Sequence, residues 1–329
     1  MKNQKITISD IAETLGISPV SISRALSGQP GVSKELKQKI TAKAEEMGYS
    51  KNKKTLTANI LVLHQKPYML DNSNFSLMLQ SVEKSLKNAK LDFQMEFIDE
   101  TSQDKGVLPY KLTKGDHFDG VIFIGKFDPQ YCNGIKEHVH NFVFFTGYSP
   151  AFDSDIVRFN FNHAGYKQCE YLINKGHTQI AFFGNQNLFR NQERFLGIQA
   201  ALHTYQISIS QTFFLDTNEN YSQRLIELIS NKKMPTAVIC DYDFTAVELI
   251  QTLYTHQIKV PDDVSIIGCG NSEISRLCIP SLTTLALNIN YASEVLIKTI
   301  LQRINNPGNP AQTTSILCDM VERDSVKSR

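Results

Sequence analysis

Four side chains in one short stretch have the types and spacing to read the edge of a base pair. In Ser18-Pro19-Val20-Ser21-Ile22-Ser23-Arg24-Ala25-Leu26, helical spacing turns Pro19, Val20, Ser23 and Arg24 outward and Ile22, Ala25 and Leu26 inward. A guanidinium in that position can take guanine O6 and N7 with two parallel hydrogen bonds, and Val20 suits a thymine methyl. The same pattern also suits a solvated charge on a three-helix protein-binding module, and spacing alone does not separate the two. Catalytic chemistry lacks carriers: there is no G-x-G-x-x-G, no G-x-x-x-x-G-K-[ST], no G-x-S-x-G and no clustered His and carboxylate set. His138 and His140 flank Val139 and are expected to share a strand face, without a third ligand nearby. Cys132, Cys169, Cys240, Cys269, Cys278 and Cys318 are scattered, with no C-x-x-C pair, as reduced thiols would be. Neither a metal, a disulfide, a cofactor nor an enzyme is expected.

The elements that must position the base-reading face follow from local signals. Thr7 is an N-cap, Asp10 can reach back to the free amides, Ile8, Ile11, Ala12 and Leu15 share a face, and Gly16 ends the helix. Ser18 caps a second helix with Pro19 in its first position, where a missing N–H costs nothing. A third helix is predicted from the Ser33 cap to Met47, closed by Gly48. Leu36, Ile40 and Ala44 face inward and Lys34, Lys37, Lys39 and Lys43 outward. Three short helices with a tight turn at Gly16 make a helix-turn-helix, which presents the start of its second helix to the major groove.

Charge is divided along the chain. Residues 1–54 carry ten Lys/Arg against five Asp/Glu, about +5, and the remaining 24 against 28 leave about −4, inside an overall +1. A positive head on an acidic body points to a polyanion partner for the head alone. With 41% hydrophobic and 20% charged residues in 329, the composition is that of an ordinary globular protein with one small and one large folded unit. No apolar run reaches the roughly 20 residues of a membrane helix, and the N-terminus lacks a signal peptide's apolar centre, so no membrane partner and a cytoplasmic location are expected.

From Ile60 onward, apolar strand-like runs alternate with amphipathic stretches, the pattern of parallel sheets covered on both faces. Strands are expected at 59–64, 91–98, 119–124, 141–145, 179–183, 211–215, 236–240 and 264–267, with helices such as 74–90, 162–175, 191–204, 219–231 and 243–256 between them. The fold class is therefore an N-terminal helix-turn-helix domain (1–50), a linker (51–58) and an α/β domain (59–329).

The run T-I-S-D-I-A-E-T-L-G-I-S-P-V-S-I-S-R-A-L from Thr7 to Leu26, then Gly31-Val32-Ser33 and Met47-Gly48-Tyr49, resembles the head of the LacI/GalR family of transcription regulators. In the body, Tyr171 to His177, Ile180 to Gly184, Arg194 before Gly197, Val260 to Gly268, Pro280 to Thr284 and Glu322 to Ser325 look like the same family's landmarks. The resemblance implies base contacts from Pro19, Val20 and Arg24 and phosphate contacts from Thr7, Ser18, Ser23, Ser33 and Tyr49, with Asn52 keeping a family position in the linker. It also implies a periplasmic-binding-protein-like domain of two lobes cross-connected by three strands, the first at about 59–157 and 288–315, the second at about 158–287 and 316–329. The family's ligand positions fall on Phe75, Thr146, Arg194, Tyr242, Asp243, Asn271 and Ile289. Arg194 would hold vicinal hydroxyls; otherwise it is a surface ion pair with Glu193. Asp243 would cap the following helix or touch the ligand, and Phe75 would stack on a sugar or fill core.

The function so implied is a repressor of carbohydrate-use genes, a homodimer on a palindromic operator in double-stranded DNA, released or tightened by a small sugar-type effector. A sugar phosphate or a protein co-regulator is the alternative. No heptad tail predicts a tetramer. The chain departs from the family pattern in its linker, where Lys51 stands for the usual Pro and Leu56 is the one leucine placed to wedge a minor groove, unless it starts the next core. It departs again at Thr146, Tyr242 and Gly270, where carboxylates or amides are usual. With no Trp, Phe and Tyr are left as stacking platforms.

Overall fold

Three hydroxyl caps begin the three helices of the head. In this computed structural model, which describes residues 6–27, 31–47, 58–65, 74–146, 153–208, 214–216, 221–231 and 233–329, α1 is Ile8–Leu15, α2 Pro19–Ser27 and α3 Lys34–Glu46. Thr7 N donates to Asp10 Oδ2 at 2.6 Å while Asp10 N donates to Thr7 Oγ1 at 3.3 Å, a reciprocal capping box. These bonds hold the Asp10 carboxyl below its ordinary pKa, the backbone bond from Thr7 first. Gly16 closes α1 with its N–H on Ala12 O and Glu13 O. Ser18 Oγ accepts from Ser21 N and Ser33 Oγ from Leu36 N, each at 3.2 Å. Each helix then contributes one isoleucine and one alanine to the core: Ile11 and Ala12, Ile22 and Ala25, Ile40 and Ala44. Gly48, Tyr49, Asn52 and Leu56 lie outside the described residues, as does the linker up to residue 57.

The contact pattern separates Met1–Thr57 from Ala58–Arg329. The larger unit lays down β1 (Asn59–His64), α4 (Phe75–Asn88), β2 (Asp92–Phe97), α5 (Glu100–Asp104), α6 (Tyr110–Thr113), β3 (Gly120–Ile124), α7 (Pro129–Lys136), β4 (Phe142–Phe145) and β5 (Asp155–Phe159). It continues with α8 (Phe161–Asn174), β6 (Ile180–Gly184), α9 (Phe189–Thr204), β7 (Phe214–Asp216), α10 (Tyr221–Ser230), β8 (Ala237–Cys240), α11 (Asp243–Thr255), β9 (Ser265–Gly270), α12 (Glu273–Leu277) and β10 (Thr283–Ala286). Finally α13 (Ile289–Asn305), β11 (Thr313–Ile316) and β12 (Asp319–Val321) complete it.

Two six-stranded sheets result, ordered β2-β1-β3-β4-β5-β11 and β7-β6-β8-β9-β10-β12. The first is parallel throughout, and in the second only β12 runs antiparallel, against β10. Both orders are the same when read along the chain, so the unit is two lobes of one design. The chain passes between them after β5, after β10 and after β11. Alternation fills both faces of each sheet: Ile60 and Val62 enter one core of the first lobe, Leu61 and Leu63 the other.

Some strands begin with polar residues because distant partners satisfy them. Asp155, 4% exposed at the start of β5, takes Arg303 Nε at 2.7 Å and Nη2 at 3.0 Å, and the Gln312 N–H at 2.9 Å. One carboxylate thus fastens β5, the end of α13 and the approach to β11, and it raises the Arg303 pKa. In the second lobe α8 and α9 cross at backbone contact. A Cβ on Gly165 would stand 2.0 Å from Arg194 O, and one on Gly197 would stand 1.9 Å from Asn162 O. The chain has no room for a methyl at either place. Gly197→Ala should therefore force the two helices apart and destabilise the protein by about 3 kcal/mol, the upper end for an inserted carbon in a packed core. Urea denaturation checks this, and a change below about 0.5 kcal/mol would show that the crossing yields freely.

Candidate functional site

The head presents one coherent outward face. Pro19, Val20, Ser23 and Arg24 of α2 are exposed, Val20 at 60%, while Ile22 and Ala25 are buried behind them. Thr7, Ser18 and Ser33, three of the five residues implied to touch phosphate, are the N-cap of α1 and the residues immediately before α2 and α3. Each sits where a helix offers free N–H groups and the positive end of its dipole. Lys34, Lys37 and Lys39 line the exposed side of α3, adding charge that a phosphate backbone attracts without regard to sequence.

The second candidate site is where the carboxyl ends of the two parallel sheets face each other, the position at which open α/β sheets take ligands. Two bonds bridge the lobes there. Asn74, just before α4, donates Nδ2 to Gly270 O at 2.8 Å, both residues being buried. Arg158 at the end of β5 forms an ion pair with Glu193 on α9, each side chain less than one fifth exposed. A cavity of about 570 Å³ lies beside the first bridge, between Leu77, Ser81 and Lys84 of α4, Gly270-Asn271 and residues 286–291.

Arg194 is fully buried. Its Nη1 donates to Asp241 O at 2.7 Å, its Nη2 to Cys269 Sγ at 3.2 Å, and its guanidinium carbon lies 5.1 Å from the centre of the Phe161 ring. The alternative, a surface pairing of Arg194 with Glu193, does not occur: Glu193 is taken by Arg158, and the Arg194 guanidinium bonds at the ends of β8 and β9. Asp243 is not the cap of α11 either; Tyr242 holds that position, without a side-chain bond. Asp243 instead accepts from Thr284 Oγ1 at 2.5 Å, Ser272 N at 2.7 Å and Ser272 Oγ at 2.8 Å, sewing β10 and the loop after β9 to the start of α11. Burial raises its carboxyl pKa, and those three bonds oppose the shift.

The remaining expected ligand residues divide. Asn271 and Ile289 border the cavity, with Asn271 Oδ1 held by Arg323 Nη2 at 2.5 Å. Tyr242 stands half-buried under the Arg190 guanidinium, 4.6 Å from its ring centre, and burial pushes its phenol up to about 12, so it stays neutral. Thr146 follows β4 with φ of 64° and its N–H on Val157 O. Phe75 is 6% exposed within the first lobe's core, so it fills core. His138 and His140 share no strand face; they are exposed in the turn between α7 and β4. All six cysteines are free, and among the described residues no group of His, Cys, Asp and Glu could hold a metal and no helix is long and apolar enough to cross a membrane. Sequence reasoning missed the bridging residues Asn74, Arg158 and Glu193, whose partners lie 35 to 196 positions away.

Residues 7–52 match the model of bacterial regulatory proteins of the lacI family, and residues 169–326 match a periplasmic binding protein-like domain. The chain belongs to the LacI family of bacterial regulatory proteins. It is a sequence-specific DNA-binding transcription regulator and not an enzyme. The HTH-type transcriptional regulator DegA of Bacillus subtilis is 27% identical over 297 residues, 86% of each chain. A LacI family transcriptional regulator from Enterococcus faecium, solved with bound ribose, has a TM-score of 0.68 at 24% identity over 82% of this chain and 99% of its own. The lac repressor dimer bound to operator and the anti-inducer ONPF has a TM-score of 0.69 at 18% identity over 99% of this chain and 100% of its own. Both structures share this fold.

Within the family frame, Gly270 has a physical reason. Its φ is 132°, and a Cβ there would stand 2.7 Å from Asn74 Nδ2, the donor that bridges the lobes. A side chain at 270 and the Asn74 bridge exclude each other. Gly270→Ala should cost roughly 1–3 kcal/mol through backbone strain and the lost bridge. Thermal unfolding measures it, and a melting temperature within a degree of the parent would show that the bridge is dispensable.

Proposed function

We propose that this chain represses carbohydrate-use genes as a cytoplasmic homodimer, reading a palindromic operator with Pro19, Val20 and Arg24. Contacts from Thr7, Ser18, Ser23, Ser33, Tyr49 and Asn52 position the head on phosphates. A small sugar-type effector binds between the lobes and changes the lobe angle. The observation that carries the DNA reading is the exposed α2 face set among three capped helix starts. The effector reading is supported by the cavity and by the buried polar side chains gathered at the facing strand ends, together with the ribose found in the Enterococcus faecium regulator. For the dimer, Leu277 at the end of α12 and Ile279 two residues on stand 72% and 91% exposed, apolar surface suited to a second copy. The lac repressor was likewise solved as a dimer on operator. Two heads on a two-fold axis suit half-sites about one helical turn apart.

Arg24→Ala tests the reading. Binding to an operator selected from random duplexes should weaken by about 1–3 kcal/mol, the worth of one bidentate base contact. Affinity for random DNA should change far less. An unchanged ratio between selected and random DNA in a salt-matched titration would remove Arg24 from the base-reading set. A thermal-shift panel of sugars and sugar phosphates tests the effector reading in parallel.

A further inference from the structure

Where the chain passes between the lobes, several bonds run from one crossing to another. Asn160, directly after β5, donates its N–H to Ile316 O at 2.9 Å and so ties the first crossing to the end of β11. Asn288, before α13, donates Nδ2 to Asp319 Oδ2 at 2.9 Å and to Leu317 O at 3.4 Å, tying the second crossing to the third. The Arg158–Glu193 pair is of another kind, because its partners belong to different lobes. Arg158 is the last residue but one of β5, a strand hydrogen-bonded between β4 and β11 in the first sheet. Glu193 lies on α9, which the glycine crossing fixes against α8 in the second lobe. Its main-chain oxygen accepts from Asn162 Nδ2 of α8 at 3.4 Å, while its carboxylate reaches across to Arg158.

The setting of this pair gives it more weight than a surface ion pair has. Its side chains are 17% and 16% exposed, so water screens the attraction poorly. A shielded charge that loses its partner is left uncompensated, and a movement that parts the two bears that cost. Each partner is fixed within its own lobe, so the pair closes only where the lobes bring guanidinium and carboxylate together. The other bridge, from Asn74 Nδ2 to Gly270 O, is a bond between neutral groups and the weaker of the two. We propose that Arg158 and Glu193 form a latch across the first crossing, which holds the lobes at the angle seen here and opens when that angle changes. A molecule bound between the lobes opens or keeps the latch only by its difference in affinity for the two arrangements. The latch itself does not depend on what that molecule is.

Hydrogen exchange on the full-length protein, read by mass spectrometry without any ligand, tests the latch. Arg158→Met and Glu193→Met remove one charge each and keep a side chain of similar length. In either variant the peptides that cover 159–164, 287–290 and 316–319 should exchange at least tenfold faster than in the parent. Peptides from the lobe cores, β1 and β3 in the first and β6 and β8 in the second, should stay within twofold. The double variant should exchange no faster at the crossings than the faster single variant, because both substitutions break the same bond. Parental exchange at the crossings in both single variants would show that the pair holds nothing and would overturn the proposal. Acceleration spread through the core strands of either lobe would make the pair a support of the fold and overturn it too. Crossings in the double variant that speed up by the product of the two single effects would do the same, since the residues would then be acting separately.

Discussion

The second lobe is arranged around a buried cation that has no carboxylate bonded to it. Arg194 has given up its water entirely, which costs a guanidinium several kcal/mol even after the protein relaxes. A main-chain carbonyl, a thiol sulfur and an aromatic face offset that cost from three directions. Those three groups come from β8's end, β9 and the first turn of α8, so keeping the cation comfortable fixes three elements relative to α9. The backbone of the same residue then sits where Gly165 must have no side chain. Helix crossing and strand ends are consequences of one placement. Cys269 shares in it: its thiol is pushed upward by burial and remains a neutral acceptor for the guanidinium.

How much of this could be read from the chain depends on the distance over which each feature is decided. The caps at Thr7, Ser18 and Ser33 were legible because a cap and the amide it satisfies are three residues apart. Strands such as β1 and β8 were legible as unbroken apolar runs. β5 and β10 were not, since Asp155, Thr283 and Thr284 interrupt the pattern and are satisfied by Arg303, Gln312, Arg323, Ser325 and Asp243 from elsewhere. Periodicity registers a buried threonine as a break even when a partner 40 residues away makes it a strand residue. Residues implied by resemblance fared in the same way: Arg194 and Asp243 stand in the expected region, but their partners are not the sequence neighbours that proximity in the chain suggests.

The bonds that join the lobes bear on regulation. Two sheets of identical order are joined by three crossings, and side chains from both lobes bridge the facing strand ends. Asn74 with Gly270 and Arg158 with Glu193 are such bridges. A ligand entering between them can shift the balance of lobe angles only by the difference in its affinity for the two arrangements, however tightly it binds either one. Groups already satisfied in this arrangement, such as the Asp243 carboxylate with its three donors, have little left to offer a ligand. The unsatisfied ones do. Polar atoms that the folded chain has not paired keep their hydrogen-bonding capacity for a molecule from outside.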